Sequence, residues 1–507
     1  MKKRTSYRYC CVALMAVTLF SCKKFLNDTP ESSLTTANAY STAADIENDL
    51  VGCYNIFYTD YYQWQNVMMS DMVADNAYIG GGGDAGFINL GTFTEDPSNY
   101  NMEVTWSQLY QGIARCNLLL GNIDAVTDPS LTAARKTQII GEASFLRALH
   151  YYNLVKTWGG VPIELLSNSV DPAVTRKPRS ADTAVYNQIN TDLQTALADL
   201  PDTYGTDASI NTVRATKGAA NALLAKIWAQ RPDRDYNKVL AYCNAVINSP
   251  AGYSLMPNFA NLFDGSNYYN SEAIMIINFI AGGPDANWGV ELYLAPEDGW
   301  QKYCVPSHDL VNAYIAAGDT TRENATIVFW TVDGNGNPIA WPDANWNPCQ
   351  DPSIAIPFNY KQKHPSNWSS GDDYYILRLA DIILLRAEAE NALGQGAAAA
   401  ADVNTVRARV RLAPVSSGLS QNDMLTAILN ERRLELAFEA QRWDDLRRTG
   451  RAISFIQGLN EVSYTCNNNV PSAPTKIIYN IDQNHLLLPI PQTEIQNDPS
   501  LTQNPGY

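Results

Sequence analysis

The stretch from Lys217 to Pro250, "KGAANALLAKIWAQRPDRDYNKVLAYCNAVINSP", decides what kind of fold this chain adopts. Its first part is rich in alanine and leucine, which predicts a closely packed helix. The turn signal "RPDRD" follows, and a second helical pattern then runs to a proline stop. Small residues lie where two helices must approach each other. The stretch therefore predicts a helical hairpin.

The length and composition of this hairpin are typical of a tetratricopeptide repeat. A second helix pair is predicted from Tyr374 to Pro414, with a hinge at Gly394-Gln395-Gly396, and two further helices are predicted at Thr183–Leu200 and Asp423–Thr449. Any tightly packed helical hairpin would share this pattern, so tetratricopeptide-like geometry and a general helical hairpin both stay open.

The rest of the chain divides into a helical part and an irregular part. Apolar residues at three- and four-residue spacing predict helices at Asp45–Tyr58, Glu103–Ile123 and Ala133–Trp158. From about 251 to 371 the chain is instead rich in Asn, Gly, Pro and tryptophan, which is typical of a long functional loop region. The expected fold is mostly α, with tetratricopeptide-like helix pairs forming a scaffold and a large irregular loop-rich insertion.

The first residues resemble an export signal. Residues 1–9 are basic, and the eleven residues Cys10–Phe20 are almost all apolar, too short a run to span a membrane. Leu19-Phe20-Ser21-Cys22 resembles a bacterial lipobox, which implies cleavage before Cys22 and lipidation of that residue. A secretory signal with an incidental cysteine is the alternative. We expect a signal peptide at 1–21, a flexible tether at 22–30 and a single body at 31–507.

Composition excludes several function classes. The net charge of −16 argues against nucleic-acid binding, which needs a basic surface. The histidines are far apart and the cysteines show no metal spacing, so the sequence predicts no metal, no cofactor and no catalytic cluster. Cys304–Cys349 is the pair to test first for a disulfide, and buried free thiols are equally open.

The motif "NERRLELAFEAQRWDDLRR" carries a dense charge pattern. Glu431, Glu435 and Glu439 recur every four residues and are expected on one face of a helix, with Arg432 and Arg442 close enough to compensate their repulsion. Paired carboxylates could indicate a glycosidase. However, arginines lower carboxylate pKa values, whereas an acid catalyst needs a raised one. We therefore predict a structural ion-pair network.

Several segments, in order along the whole chain, resemble the SusD/RagB family of surface glycan-binding lipoproteins. They are "SCKKFLNDTPESSLTTANAYSTAADIENDLVGCYN", "GEASFLRALHYYNLVKTWGGVPI", "ATKGAANALLAKIWAQ", "YYILRLADIILLRAEAENALG", "LNERRLELAFEAQRWDDLRRTG" and "LPIPQTEIQNDPSLTQNPGY". The resemblance implies a helical scaffold at about 31–250 and 372–507 and a ligand region at about 251–371. It also implies a lipid-anchored position in the outer membrane facing the cell exterior, a SusC-like TonB-dependent transporter as partner, a glycan ligand and no catalysis. Lys23 and Lys24 follow the cysteine where surface-exported relatives often carry acids.

A carbohydrate site needs aromatic rings that stack on sugar C–H faces, and amides or carboxylates that bind hydroxyls. Two regions combine both, and the resemblance implies stacking aromatics in the same two regions. The candidate ligand-binding residues are Asn76, Tyr78, Asp84, Asp285, Asn287, Trp288, Tyr293, Trp300, Trp330, Trp341 and Trp346. A surface-anchored glycoside hydrolase and a protein-binding tetratricopeptide scaffold are the alternative functions.

Overall fold

The structure is a computed structural model, and it describes residues 40–79, 84–166, 176–292, 303–328, 330–332, 338–340, 357–364, 367–463, 466–467, 470–471, 473 and 475–507. The predicted signal peptide and tether, including Cys22, lie outside these residues. Among the described helices, none combines the length and the apolar character needed to cross a membrane.

Helices make up most of the described chain, as the sequence predicted. In chain order they are α1 Ala43–Tyr54, α2 Ala85–Thr92, α3 Tyr100–Asn122, α4 Ala133–Trp158, α5 Asp182–Asp199, α6 Ala208–Val213, α7 Lys217–Gln230, α8 Tyr236–Ile247, α9 His308–Ala317, α10 Thr320–Thr326, α11 Leu379–Ala392, α12 Gly396–Arg409, α13 Gln421–Leu436, α14 Arg442–Arg448, α15 Ala452–Gly458 and α16 Gln492–Asn497.

The scaffold is a series of packed helix pairs. Helix α4 packs against α5, α7 against α8, and α11 against α12. Contacts of α5 with α7 and of α8 with α11 join one pair to the next. This arrangement confirms the predicted scaffold of helix pairs.

The hairpin α7–α8 shows how the sequence specifies one pair. The Thr216 side chain accepts a hydrogen bond from the Ala219 N–H and begins α7, while Asp235 caps α8 in the same way. The alanines of α7 are almost fully buried. Because an alanine side chain is a single methyl group, neighbouring helices can approach α7 closely.

Between α8 and α11 the chain forms the irregular insertion, in which short strands replace long helices. One described strand, β1 Ala77–Tyr78, precedes the insertion. The described strands within it are β2 Ala273–Ile277, β3 Val305–Pro306, β4 Ile327–Val328, β5 Trp330–Val332, β6 Pro338–Ala340, β7 Phe358–Asn359 and β8 Tyr374–Arg378, and those after α11 are β9 Val462–Ser463, β10 Cys466–Asn467, β11 Val470–Pro471 and β12 Thr475–Lys476. Strands β2 and β8 pair antiparallel, with Ala273 opposite Arg378 and Ile277 opposite Tyr374. This pair closes the base of the insertion and packs on α7.

Two predicted helices differ from the structure. The helix predicted to begin at Tyr374 begins at Leu379, because the five preceding residues are β8. The single helix predicted from Asp423 to Thr449 is wrong: α13 ends at Leu436 and α14 begins at Arg442. Consequently Glu439 lies beyond α13 and does not share its helical face.

The break after α13 has a clear physical cause in the buried carboxylate of Asp71. Phe438 and Ala440 adopt left-handed φ values of 62° and 55°. Their backbone N–H groups both donate to Asp71, at 2.9 and 3.0 Å. Because Asp71 is fully buried, these hydrogen bonds stabilise a conformation that non-glycine residues seldom adopt.

The C-terminal segment packs along the end of α4. The Trp158 indole donates to the Pro489 carbonyl at 2.9 Å, and the Asn504 amide donates to the Trp158 carbonyl at 3.0 Å. The Tyr507 hydroxyl donates to Glu95. This proline-rich tail therefore wraps the helical body.

The structure describes the side chains of four cysteines. Cys53, Cys116, Cys243 and Cys304 are buried free thiols. Among the described residues, Cys304 has no disulfide partner, and Cys349 lies outside them. Burial raises the pKa of the Cys304 thiol well above its ordinary value, which makes it unreactive.

Candidate functional site

Three tryptophan side chains lie next to one another and run from the core to the surface. The rings of Trp64 and Trp288 are 5.5 Å apart between centroids, and those of Trp288 and Trp368 are 6.3 Å apart with a 32° interplanar angle. Trp64 is buried, Trp288 is partly exposed and Trp368 is 41% exposed. We call Trp288 and Trp368, backed by Trp64, the tryptophan platform.

Contacts between two loops hold Trp368 in place. Its backbone N–H donates to the carboxylate of buried Glu291 at 2.5 Å. Two residues further on, Ser370 and Asn287 exchange backbone hydrogen bonds of 2.8 and 3.0 Å. Asn367 and Trp368 have left-handed φ values of 51° and 64°. Such strained residues persist where surrounding contacts fix them, which is common at binding sites.

A second set of contacts closes the loop that carries Trp368. His364 Nδ1 lies 2.7 Å from Asp372 Oδ1, and Asp372 Oδ2 accepts hydrogen bonds from the Lys363 and His364 backbone N–H groups at 2.6 and 2.8 Å. The Ser370 hydroxyl donates to the His364 carbonyl at 2.7 Å. The hydrogen bond with Asp372 raises the pKa of His364 despite its partial burial.

The base of the tryptophan platform comes from an unusual helical segment. Trp64 lies in the π-helix Tyr61–Gln65, and Gln63 of the same segment accepts the Trp288 backbone N–H at 3.0 Å. π-Helical turns are rare and often mark functional sites. On its other side, Trp64 contacts Phe87 of α2 at 5.0 Å between ring centroids. Helix α2 and the segment around Trp288 therefore meet at Trp64.

The predicted site residues before α2 separate into buried and exposed positions. Asn76 is fully buried, where its amide donates to Asp71 at 2.7 Å and accepts from Arg433 at 2.9 Å. Tyr78 is 5% exposed and lines an apolar cavity of about 300 Å³. Asp84 is exposed and caps α2 through the Gly86 N–H. Of these three, only Asp84 presents its side chain to solvent.

The predicted residues of the insertion lie mostly near the platform or outside the described chain. Asp285 is partly buried, and Asn287 is fully buried with its Oδ1 accepting the Gly289 N–H at 2.9 Å. Trp288 belongs to the tryptophan platform. Trp330 begins β5. The residues outside the described part of the chain are Tyr293, Trp300, Trp341 and Trp346.

Comparison with known proteins places this architecture in one family. A family model described as "SusD family" matches residues 353–507, and a model described as "Starch-binding associating with outer membrane" matches residues 24–228. The chain belongs to the SusD/RagB family. It is 27% identical to SusD-like protein P25 of Formosa agariphila over 96% of this chain and 97% of the relative.

Solved SusD-like structures share the fold. A structure described as a laminarin binding SusD-like protein is 27% identical, with a TM-score of 0.74 over 92% of this chain and 100% of that one. The starch-binding protein SusD of Bacteroides thetaiotaomicron is 24% identical over 82% of this chain and 81% of its own. These likenesses extend over both the helical scaffold and the insertion of this SusD/RagB protein.

In this family member, the charged motif after Leu429 lies in the interior. The residues that were predicted to form an ion-pair network each contact opposite charges on other elements. The contacts are Glu431 with Arg322 and Arg407, Glu435 with Arg322, Arg378 and Arg409, Glu439 with Lys361 and Arg378, Arg432 with Asp381 and Asp445, and Arg442 with Asp75. Apart from Asp445, which lies in the same motif but on α14, these partners come from other segments of the chain.

The electrostatics of this cluster are unsuited to acid catalysis. Burial alone would raise the pKa of Glu435, but Arg409, Arg378 and Arg322 outweigh it and hold the pKa well below its ordinary value. Arg378 and Lys361 likewise lower the pKa of Glu439 against the effect of burial. A general acid needs a raised pKa and access to substrate, and these buried carboxylates have neither.

Sequence reasoning missed Trp368 as a site residue. Its local sequence, "SNWSSGDD", contains the available signal: Asn367 tolerates left-handed backbone, and Ser-Ser-Gly predicts a tight turn that presents the preceding ring. The sequence could not show that Ser370 of this turn pairs with Asn287, which lies 83 residues earlier. That contact depends on the tertiary fold.

Proposed function

We propose that this SusD/RagB protein binds carbohydrate at the tryptophan platform. The observation that carries the proposal is the exposed ring of Trp368 beside Trp288, fixed by Glu291 and by the Asn287–Ser370 bridge. A sugar ring presents C–H bonds to which the negative face of an aromatic ring is complementary, and a ring held in place loses little entropy on binding. Relatives whose names state laminarin binding or starch binding support this ligand class.

The proposed function includes capture without catalysis. The charged motif that resembled paired catalytic carboxylates is buried and ion-paired, which leaves it unable to reach a glycosidic bond. The proposed cellular role is delivery of oligosaccharide or polysaccharide to a SusC-like TonB-dependent transporter. A lipid on Cys22 would hold the protein on the exterior face of the outer membrane, consistent with the family model described as associating with that membrane.

Carbohydrate binding is tested by calorimetry and by affinity electrophoresis against a panel of polysaccharides that includes laminarin and amylopectin. Trp368→Ala should weaken binding of the recognised polysaccharide by about 10-fold or more, because truncating a central aromatic contact residue typically costs about 2 kcal/mol or more. Tyr100→Ala, at an exposed position on α3, is the matched control and should bind like the wild type. Unchanged binding by Trp368→Ala would contradict the assignment of the platform.

The other parts of the proposal have separate readouts. Release of reducing ends from the bound polysaccharide would show that the protein is a glycoside hydrolase. Binding to a transporter barrel with no binding to any glycan would instead favour a protein-binding tetratricopeptide scaffold. Cys22→Ala should release the protein from the membrane fraction while leaving carbohydrate binding by the purified body intact.

A further inference from the structure

A cleft that shares no residue with the tryptophan platform opens between α1 and β2. Its volume is about 290 Å³, at the lower end of the range for small-molecule sites. The floor is apolar and buried and is formed by Leu50, Phe57, Ile276 and Ile277. The mouth is open to solvent beside Val51, which is 56% exposed.

Two tyrosines form an aromatic wall of this cleft, and contacts within the protein fix both side chains. The Tyr54 hydroxyl donates to Glu142 at 2.8 Å and accepts from the Ala215 N–H at 2.9 Å. The Tyr58 hydroxyl donates to the Asn278 carbonyl at 3.1 Å, and its ring packs edge-on against Phe279. Because the hydroxyls are bonded within the protein, the two side chains offer ring surface to an occupant in a fixed orientation.

A few polar groups with remaining hydrogen-bonding capacity surround this apolar wall. In the part of the chain that the structure describes, the exposed Asn55 side chain has no hydrogen-bond partner. Arg214 uses Nε and Nη2 on Glu142, which leaves Nη1. Asn278 uses Nδ2 on Asp373, which leaves Oδ1. The cleft therefore combines ring faces with one amide, one guanidinium nitrogen and one amide oxygen.

This combination selects a neutral ligand that carries hydroxyl groups. An anionic ligand gains little here, since the Arg214 charge is already neutralised by Glu142 at 2.5 Å. A cationic ligand gains little either, because both oxygens of Glu47 accept hydrogen bonds from Arg135. A sugar residue fits both parts of the cleft: its C–H face matches the tyrosine rings, and its hydroxyls match the planar amide and guanidinium groups.

One short segment connects the cleft with the tryptophan platform. Asn278 lines the cleft, and Trp288 belongs to the platform. The Ile280 N–H donates to the Asp285 carbonyl at 2.9 Å, which shortens the path between them. With about 3.8 Å between successive Cα atoms, Asn278 and Trp288 are at most about 25 Å apart. An extended oligosaccharide can reach from one to the other.

We propose that this cleft is a second carbohydrate contact, which takes a neutral sugar residue of the same glycan chain that the tryptophan platform holds. The proposal rests on the proposed function of the platform. When one glycan chain is bound at the platform, its contact with the cleft becomes an intramolecular step. The affinity for the glycan should therefore rise steeply once the chain is long enough to span both contacts. Short oligosaccharides should bind at the platform alone.

The test is a calorimetric length series, from disaccharide to octasaccharide, prepared from whichever of laminarin and amylopectin the wild-type protein binds. Val51→Trp fills the mouth of the cleft, and Asn55→Ala removes the free amide. Both should weaken binding of the long oligosaccharides by about 10-fold and leave the short ones unchanged. Ile210→Trp is the matched control, because Ile210 is exposed on α6 outside the cleft lining.

Hydrogen exchange provides an independent readout with the wild-type protein. The long oligosaccharide should protect amides in Asn55–Tyr58 and around Asn278, and the short one should not. One outcome would overturn the second contact and leave the platform in place. In it, the wild type binds a polysaccharide, both variants bind oligosaccharides of every length with wild-type affinity, and no amide of the cleft is protected. If the wild type binds no polysaccharide in the panel, the proposed function itself fails and this inference fails with it.

Discussion

At the residue scale, Asp373 is an acidic side chain that burial keeps partly protonated near neutral pH. Burial raises its pKa to about 7, although the Phe279 N–H and the Asn278 amide donate to its oxygens. Its pKa in the unfolded chain is the ordinary value of about 3.9. The folded state therefore binds more protons than the unfolded state between about pH 4 and 7, and this group reduces stability as the pH rises through that window.

Asp373→Asn should remove this pH dependence, because an amide of the same shape keeps an acceptor for the Phe279 N–H and cannot ionise. We expect the free energy of unfolding of the variant, relative to the wild type, to increase by about 3 kcal/mol between pH 4 and pH 7. Urea unfolding at several pH values measures it. Asp264→Asn, at a more exposed carboxylate, is the control. Parallel curves for wild type and Asp373→Asn would show that Asp373 ionises normally.

At the residue scale, prediction from the sequence could use local chemistry but could not see partners that are distant along the chain. Trp288 was selected as a site residue, and it does lie beside an exposed tryptophan. Asn76 was selected on the same composition, yet Asp71 and Arg433 occupy its amide in the interior. Arg433 is 357 residues away along the chain, so no local pattern could show that Asn76 is buried.

At the scale of elements, the loop from Lys363 to Asp372 depends on one titratable contact. His364 faces Asp372, with Lys363 and Asp264 also near its ring. Because the pKa of His364 is raised in the folded state, its stabilising contact is fully present below the ordinary pKa of about 6.5 and is lost as the pH rises through the higher folded value. Trp368 lies on this loop, so the order of the platform should fall at alkaline pH.

His364→Gln should therefore bind the recognised polysaccharide more weakly than the wild type at pH 6, and the two proteins should converge as the pH rises above the folded pKa of His364. Calorimetric titrations at several pH values measure both trends. Asp373 titrates nearby in an overlapping range, so Asp373→Asn is the control and should keep the pH dependence of wild-type binding. If His364→Gln retained the wild-type pH profile, the histidine contact would have no role in ordering the platform.

The predicted elements were most accurate where helices carry both an apolar pattern and end signals. Helix α4 has the predicted bounds, Ala133–Trp158, because Thr132 caps its start and Gly159 ends it with a φ of 74°. The predicted helix Asp423–Thr449 missed the break after Leu436, because the segment "AFEAQ" that begins at Ala437 has good helix propensity and contains no glycine or proline. Its left-handed residues are fixed by Asp71 from a distant segment, which overrides that propensity.

At the scale of the whole molecule, buried ion pairs join the insertion to the helical scaffold. Arg378, at the end of β8, is 1% exposed and contacts Glu272 before β2 and Glu435 on α13. It also contacts Glu439 after α13 at 2.6 Å. The arginine thus links both strands at the base of the insertion to the scaffold. The two parts should therefore unfold together.

Arg378→Met tests this coupling, because it leaves three buried carboxylates without one of their cations. Removing one partner of a buried ion pair costs roughly 3–5 kcal/mol, and methionine fills much of the same volume. We expect the free energy of unfolding to fall by about that amount. Tryptophan fluorescence, to which tryptophans of the platform and of the scaffold both contribute, and far-ultraviolet circular dichroism, which reports the helices, should shift together. Arg411→Met, at an exposed arginine, should leave both transitions unchanged. If the fluorescence of the variant changed at lower urea than its helicity, the insertion would unfold independently. The ion pairs of Arg378 would then stabilise the insertion without coupling it to the scaffold.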